Sequence, residues 1–133
     1  MIFLDPSALV KRYVDEAGSA WVAQLMAQDT EWAASDLAHS ETRIALCRRG
    51  PEGSPGSRSQ GQLVRDWSHF VTVAIDADCL AQAAELGCRL QLRTLDAIHL
   101  AAARRLPSDV EFVTFDRRLR EAARRAGSRV LDV

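Results

Sequence analysis

Short apolar segments alternate with longer amphipathic segments along this chain. The run Ile2–Leu4 is apolar throughout and too short for a buried helix, so it predicts a core strand. Residues 70–75 read FVTVAI, and their β-branched side chains are typical of a strand. The same kind of pattern predicts further short strands at 31–35, 111–115 and 129–133.

Between the strands, apolar residues recur at the spacing of one helix face. Asp5 suits the N-cap of the first helix and Pro6 suits its first position. Gly127 suits the position that follows the last helix. We expect helices at 6–16, 19–28, 36–49, 58–68, 77–86, 95–103 and 117–126.

The alternation of strands and helices predicts the architecture. Parallel strands need crossover connections, which are usually helices, and such sheets are covered on both faces. We therefore expect an α/β fold, a three-layer α/β/α sandwich with a short central parallel sheet. The one clear cluster of Gly and Pro, at 50–57, predicts a mobile loop that is too short to link two domains, so residues 1–133 should form a single domain.

Composition narrows the partners that the chain can attract. With 47% hydrophobic and 26% charged residues, it is ordinary soluble globular material. A net charge of -1 provides no global field that would attract nucleic acid or a membrane surface. The cationic residues are nearly all arginines, most of which follow residue 88. Arg favours bidentate contacts with phosphate, so this half could hold a polyanion locally, although solvated helix faces explain the same residues.

The cysteines indicate a reducing compartment. Cys47, Cys79 and Cys88 are odd in number and widely spaced, and no CxxC pair is present. This pattern argues against a disulfide framework and against a zinc site. No signal peptide and no apolar run of about 18 residues is found, so we expect a cytoplasmic protein without membrane contact.

Two aspartates directly follow predicted strands. Asp5 follows Ile2–Leu4, and Asp116 follows the strand at 111–115. If these strands are parallel, both carboxylates stand at the carboxyl edge of the sheet, where ligands bind in folds of this kind. The alternative is that each aspartate only caps the helix that follows it, and for either one alone this is the better explanation.

Glu41 interrupts the apolar face of the third predicted helix. It shares that face with Leu37, Ala38 and Ile44, and it lies at least one turn inside the helix, where no cap is needed. The alternative is that the side chain reaches the rim of the core or pairs with an arginine such as Arg48. A functional role is the better explanation here.

Asp96 lies in a segment that is otherwise nearly apolar. From Leu95 to Ala103 only Asp96 and His99 are polar, which predicts a helix buried on most sides. Burying a carboxylate is costly unless it is paired or coordinates a metal. A Thr94 N-cap with Asp96 in the first turn is the alternative explanation. His99, one turn further on, could hydrogen-bond Asp96 or could be a satisfied core residue.

These four acids, from separate parts of the chain, can reach one edge of the sheet. Converging carboxylates repel one another, so some are protonated or cations lie between them. Hard oxygen ligands without a partnering His or Cys suit Mg²⁺ or Mn²⁺. Such an ion can activate water and stabilise charge at a scissile phosphate, so the sequence predicts phosphoester chemistry.

Four segments together resemble the motifs of one family. They are IFLDPSALVKRY, SDLAHSETRIAL, LRTLDAIHLAAA and FVTFDRRLREAA. In this order and spacing they resemble a PIN-domain ribonuclease, and more narrowly a VapC-type toxin of a bacterial toxin–antitoxin pair. Each motif alone is weak, but the set is specific and spans nearly the whole chain. Pro6 stands where the family frequently has Thr.

The resemblance implies roles for particular residues. Asp5 and Asp96 would be the principal metal ligands, with Asp116 as the most variable further ligand. The hydroxyls of Ser7 and Thr114 fall where the family places hydroxyls near the metal or the substrate. The catalytic acidic quartet that binds Mg²⁺ or Mn²⁺ would be Asp5, Glu41, Asp96 and Asp116.

The resemblance also implies partners. Such toxins cleave structured RNA as endoribonucleases, usually form homodimers, and are neutralised by a small VapB-type antitoxin that contacts DNA itself. Arg93, Arg117, Arg118 and Arg120 are candidates for contacts with RNA phosphates. A solvated helix face is the alternative for each of them.

Three other functions compete with this interpretation. A phosphatase could use Asp5 as a nucleophile, but haloacid-dehalogenase-like enzymes need a second acid where this chain has Ser7. A receiver-like domain would need a lysine late in the chain, and the single lysine is Lys11. A degenerate PIN-fold binding module is the non-enzymatic alternative, which the presence of all the acids disfavours.

Overall fold

Five parallel strands form the centre of the fold. The structure is a computed structural model that describes residues 1–49 and 55–133, with side chains for 1–49 and 59–133. The strands stand in the order β3-β2-β1-β4-β5, and every pairing between neighbours is parallel. Their bounds are Ile2–Leu4 (β1), Trp32–Ser35 (β2), Phe70–Val73 (β3), Glu111–Val113 (β4) and Arg129–Val130 (β5).

Helices connect the strands as predicted. A short 3₁₀ turn at Val10–Arg12 follows the first helix. The helices are Pro6–Leu9 (α1), Ser19–Gln28 (α2), Asp36–Cys47 (α3), Pro55–Trp67 (α4), Ala77–Leu90 (α5), Thr94–Ala103 (α6) and Arg117–Arg125 (α7).

The core lies in two clusters, one on each face of the sheet. Phe3 and Phe112 stack with their ring centroids 5.6 Å apart and pack with residues of α5, α6 and α7. Ile2, Leu4 and Val113 pack with α1, α2 and α3. Successive side chains of a strand point to opposite faces, so the central strands feed both clusters. The predicted three-layer α/β/α sandwich is confirmed.

The first helix is shorter than the predicted 6–16. Local polar contacts to the backbone replace its last turns, since Ser19 Oγ donates to the carbonyl of Val14 (2.7 Å) and accepts from the amide of Glu16 (3.0 Å). Lys11 Nζ donates to the carbonyl of Ala17 at 2.7 Å. Side chains that bond nearby backbone in this way compete with helical hydrogen bonds.

Among the other boundaries that differ from the prediction, three concern α4, α5 and α6. Helix α4 begins at Pro55, and proline suits a first helical position. Residues 55–57 are therefore helical, although the sequence predicts a loop there. The rest of the predicted loop, 50–54, lies outside the described residues. Helix α5 continues through Gly87 to Leu90, and a Cβ on Gly87 would lie 3.3 Å from the Cβ of Ala97, so glycine permits the close approach of α6. The N-cap of α6 is Arg93, not Thr94.

None of the helices in the described ranges combines the length and the apolar character that crossing a bilayer would need.

Gly18 allows the turn before α2 to lie against the segment that follows β4. Its φ is +91°, and a Cβ there would lie 2.5 Å from Cε1 of Phe115. Gly127 also has a positive φ, +82°, but a Cβ there would meet nothing within 4 Å. Comparing substitutions at the two glycines therefore distinguishes the free-energy cost of a positive φ, which both share, from the cost of a steric contact, which only Gly18 has.

We expect Gly18→Ala to destabilise the protein more than Gly127→Ala does. Both substitutions place a side chain in the left-handed region, at a cost of roughly 1–2 kcal/mol. Gly18→Ala also forces the Phe115 ring to move, which adds roughly 1–3 kcal/mol. Urea unfolding of both variants measures the difference, and equal losses would show that the contact with Phe115 costs nothing.

Candidate active site

Asp5 lies buried where β1 ends and α1 begins. Only 3% of the residue is exposed. Its Oδ1 accepts hydrogen bonds from the amide of Ala8 (2.9 Å) and the hydroxyl of Ser7 (2.7 Å), and its Oδ2 accepts one from Thr114 Oγ1 (2.7 Å). Its amide donates to the carbonyl of Val113, continuing the pairing of β1 with β4. Asp5 is thus both the predicted cap and a carboxylate at the carboxyl edge of the sheet.

The hydroxyls of Ser7 and Thr114 join the ends of these two strands. Ser7 Oγ accepts from the amide of Phe115 at 2.9 Å, and Thr114 Oγ1 accepts from the amide of Asp116 at 3.0 Å. Asp116 in turn caps α7, since its Oδ1 accepts from the amide of Leu119 at 3.0 Å. The predicted convergence of Asp5 and Asp116 therefore depends on two hydroxyl groups that each contact Asp5 directly.

Burial raises the pKa of Asp5 above its ordinary value, while the hydrogen bonds from Ser7, Thr114 and Ala8 act in the opposite direction. Among the side chains that the structure describes, no Lys, Arg or His lies within ion-pair distance of this carboxylate. An ionised Asp5 is therefore a desolvated negative charge held only by neutral donors, and a bound cation would stabilise it.

Arg93 joins the two other aspartates of this edge. Its Nε lies 3.1 Å from Oδ2 of Asp96, and its Nη2 lies 3.2 Å from Oδ2 of Asp116. Both carboxylates are partly buried, with 20% and 25% of the side chains exposed, whereas Arg93 is 73% exposed. These two acids raise the pKa of Arg93. The guanidinium reduces the repulsion that the sequence predicts between converging carboxylates.

Glu41 is held by His99, a contact that the sequence analysis missed. Nε2 of His99 lies 2.7 Å from Oε1 of Glu41, and Nδ1 lies 2.9 Å from Oγ of Ser35. Of the two alternatives for His99, the satisfied core residue is confirmed, and the bond to Asp96 is not formed. Among the described side chains, no arginine pairs with Glu41. The three partners come from α6, α3 and the end of β2, so no local sequence pattern joins them.

The helix face assigned to Glu41 is only partly correct. Ala38 is buried, but Ile44 is 50% exposed, and the buried residues of α3 are Ala38, Thr42 and Leu46. Glu41, with 30% of its side chain exposed, therefore lies at the rim of the buried face. This position lets its carboxylate reach both the buried imidazole and solvent.

The structure places the predicted residues in two connected groups. Contacts link Asp5 through Thr114 to Asp116, and Arg93 links Asp116 to Asp96. Among the described residues, Glu41 makes no contact with this network, and the hydrogen bond from His99 joins it to α6, the helix that carries Asp96.

The donors at this edge suit a hard divalent cation. In the part of the chain that is described, no three or more Asp, Glu, His or Cys side chains are arranged to hold one ion between them. Mg²⁺, however, usually takes only one or two carboxylates and keeps several waters. Asp5, Asp96 and Asp116 offer carboxylate oxygens of the kind that such an ion prefers, and Asp5 has no ion-pair partner among the described side chains. The residues present therefore fit Mg²⁺ or Mn²⁺.

The arginines after Asp116 differ in their surroundings. Arg117 is 89% exposed and lies 3.4 Å from Oε1 of Glu121. Arg120 donates from Nη2 to the carbonyl of Thr114 at 3.1 Å, so it supports the end of β4. A role for Arg117 or Arg93 in binding substrate stays a prediction.

The chain is similar to known proteins in sequence and in fold. The sequence profile of the PIN domain family matches residues 2–125. Ribonuclease VapC46 of Mycobacterium tuberculosis is 35% identical over 131 residues, which cover 98% of this chain and 95% of the relative. The crystal structure of VapC20 from the same organism, described as a sarcin–ricin loop cleaving toxin, superposes with a TM-score of 0.74 at 22% identity and covers 92% of this chain and 95% of that chain.

A second solved structure shows the same fold in a larger assembly. VapBC2 of Rickettsia felis, bound to a DNA fragment from its promoter, superposes with a TM-score of 0.69 at 16% identity, covering 100% of this chain and 99% of that chain. This chain belongs to the PIN domain family, among the VapC ribonucleases. The family membership predicted from the four motifs is confirmed.

The raised pKa of Asp5 predicts how stability depends on pH without divalent cations. The folded state keeps the Asp5 proton to higher pH than the unfolded chain, whose aspartates titrate near pH 4. The contribution of protonated Asp5 is therefore complete below that pH and is lost as the pH rises toward the folded-state pKa. We expect Asp5→Asn, which cannot ionise, to gain stability relative to the parent as the pH rises from about 4 to 7.

Urea unfolding in EDTA across this pH range measures that difference. Asp15→Asn removes an exposed carboxylate and controls for the change in net charge. A difference between Asp5→Asn and the parent that does not vary with pH would contradict the expected burial of charge at Asp5.

Proposed function

We propose that this protein is an endoribonuclease that uses Mg²⁺ or Mn²⁺ to cleave RNA phosphodiester bonds and acts as the toxin of a toxin–antitoxin pair. The observation that carries the proposal is Asp5, a buried carboxylate without an ion pair among the described residues, at the carboxyl edge of the sheet. Contacts join it to Asp116 and, through Arg93, to Asp96. Membership of the VapC ribonucleases supports RNA as the substrate.

Asp5, Asp96 and Asp116 would hold the metal. When bound, the ion would lower the pKa of a coordinated water and stabilise negative charge at the scissile phosphate. Ser7 and Thr114 keep the Asp5 carboxylate oriented, since each donates its hydroxyl hydrogen to one of the two oxygens.

Glu41 would accept a proton during cleavage. His99 occupies Oε1 of its carboxylate, whereas Oε2 has no hydrogen-bond partner among the described side chains and backbone. Oε2 is therefore the acceptor for the proton of an attacking water. Arg93, once released from Asp96 and Asp116, and the exposed Arg117 would contact RNA phosphates.

The structure weakens the alternative of a phosphatase with Asp5 as its nucleophile. Both oxygens of Asp5 already accept hydrogen bonds, and the residue is 3% exposed. Haloacid-dehalogenase-like phosphatases also need a second acid two residues after the nucleophile, and here that position is Ser7, whose hydroxyl donates to Asp5. A binding module without activity remains the competing function, and cleavage assays distinguish it from the proposed enzyme.

The proposal includes the partners of the chain. We infer a VapB-type antitoxin as the neutralising partner, a homodimer as the assembled toxin, and contact with DNA only through the antitoxin. The Rickettsia felis protein, a VapBC pair bound to promoter DNA, supports this assembly by analogy. The thiols of Cys47, Cys79 and Cys88 are free, which supports a location in the reducing cytoplasm. We also propose that residues 1–133 form one PIN domain.

Substitution of Asp96 should separate activity from folding. We expect Asp96→Asn to remain folded, because the side chain is partly exposed, and to lose metal-dependent RNA cleavage by roughly a hundredfold or more. The measurement is cleavage of a defined RNA mixture by antitoxin-free protein with Mg²⁺, with Mn²⁺ or with EDTA.

Asp109→Asn is the matched control, since it removes an exposed carboxylate just before β4, at the opposite edge of the sheet. It should cleave like the parent. Cleavage that survives in EDTA, or in Asp96→Asn at the parent rate, would refute the proposed metal site. A parent protein that cleaves nothing in any arm would favour the binding module.

Arg93 should compete with a divalent ion for Asp96 and Asp116. We expect Arg93→Ala to bind Mn²⁺ about two- to fivefold more tightly, because no guanidinium must be displaced. The measurement is the electron paramagnetic resonance signal of free Mn²⁺ during titration. Arg117→Ala removes an exposed positive charge of the same edge without touching either acid, so an equal gain in that variant would contradict direct competition.

A further inference from the structure

His99 is a buried polar residue that the roles described so far leave unexplained. It is 2% exposed, and every other buried residue of α6, a helix described in full, is Ala, Ile or Leu. Because these neighbours are apolar, packing alone would favour an apolar side chain at this position. Placing an imidazole there requires partners for both ring nitrogens.

Both nitrogens have such partners, and the partners determine where the proton lies. Nε2 faces Oε1 of Glu41 at 2.7 Å. An ionised carboxylate only accepts hydrogen bonds, so Nε2 carries the hydrogen. Nδ1 faces the hydroxyl of Ser35 at 2.9 Å. In the neutral ring Nδ1 is then the acceptor, and the Ser35 hydroxyl donates to it.

Ser35 bonds His99 and does not cap helix α3 with its side chain. It is the N-cap residue of α3, yet its side chain makes no capping hydrogen bond. The aspartates that begin α1, α5 and α7 all accept a capping bond from the backbone (Asp5, Asp76 and Asp116). The hydroxyl of Ser35 is thus directed to His99 and not to the helix that it begins.

We propose that His99 is a positioning residue that holds the Glu41 carboxylate through Nε2–H, and that Ser35 fixes the required tautomer through Nδ1. Glu41 is on the rim of α3 with 30% of its side chain exposed, so without His99 its carboxylate could adopt several rotamers in solvent. His99 is buried in the core and lies on α6, the helix that also carries Asp96. Its hydrogen bond to Glu41 therefore fixes the position of the Glu41 carboxylate relative to Asp96. This inference rests on the proposed function, in which Glu41 accepts a proton.

Two conservative variants separate positioning from packing. The amide nitrogen of a glutamine reaches close to the place of an imidazole Nε2, whereas that of an asparagine reaches close to Nδ1. His99→Gln can therefore keep the contact with Glu41, and His99→Asn can keep only the contact with Ser35. Both variants remove a buried ring and one of two hydrogen bonds, so both should lose thermal stability to a similar degree.

Single-turnover and steady-state cleavage of one RNA should then distinguish the variants. We expect His99→Asn to lose about ten- to a hundredfold in kcat with little change in KM, and His99→Gln to retain most of the parent kcat. Equal kcat values in the two variants, or a loss confined to KM, would overturn the positioning role. Ser35→Ala, which leaves the imidazole in place, should reduce kcat less than His99→Asn does.

Nitrogen NMR of the imidazoles tests the contact without any cleavage. The chain has 3 histidines, so a long-range ¹H–¹⁵N spectrum of the metal-free protein is simple to assign with His99→Gln. We expect a hydrogen on Nε2 of His99, and a shift of this signal in Glu41→Gln. A ring protonated at Nδ1 alone would overturn the inference.

RNA cleavage and imidazole NMR test the proposed function and the role of His99 separately, so either one can be refuted while the other stands. Absence of cleavage by the parent would count against the proposed function, and the NMR signature would still decide whether His99 donates to Glu41. Cleavage by the parent with the wrong tautomer would leave the nuclease function intact and refute the role of His99.

Discussion

The parallel pairing of β1 with β4 is the constraint on which the site depends. It aligns Leu4 with Val113, so that Asp5 and Thr114 emerge side by side where the strands end. The hydroxyls of Ser7 and Thr114 then donate to the two oxygens of one buried carboxylate. Because this carboxylate has neutral donors and no ion-pair partner among the described residues, its charge remains uncompensated at the edge of the sheet. The pairing of β1 with β4 therefore decides both where this carboxylate lies and how it is buried, and the cation site that we propose depends on both.

The remaining acids are compensated in different ways. Asp96 and Asp116 share the exposed guanidinium of Arg93, an arrangement that weakens easily because one partner is largely solvated. Glu41 instead contacts an imidazole fixed in the core. The site thus combines a buried carboxylate (Asp5) with two acids that share a solvated arginine (Asp96 and Asp116). Its fourth acid, Glu41, is bonded to a buried imidazole. Such a combination suits a centre that binds and releases a cation while keeping its proton acceptor in place.

Much of this could be predicted from the sequence, and the reasons are local. Asp5 and Asp116 directly follow apolar segments, and the alternation of strands and helices implies parallel pairing, so their shared edge follows from topology. The contacts of His99 and Arg93 could not be predicted in this way. Arg93 and Asp96 are near neighbours in the chain, but the contact of Arg93 with Asp116 and both contacts of His99 join elements that are distant along it. These contacts depend on how α6 packs against β2, α3 and the start of α7. Helix α1 was predicted too long because its competing contacts come from the loop that contains Glu16 and from Ser19.

By itself, the sequence determined the order of the elements, the parallel sheet and the four acids, since these depend on apolar spacing and on residues next to one another. Only the tertiary structure decided which acid is buried, which shares an arginine and which is held by an imidazole. These outcomes depend on burial and on pairwise distances of a few ångströms. Such distances are set when separate helices pack on the sheet, and no periodicity within a single segment records them.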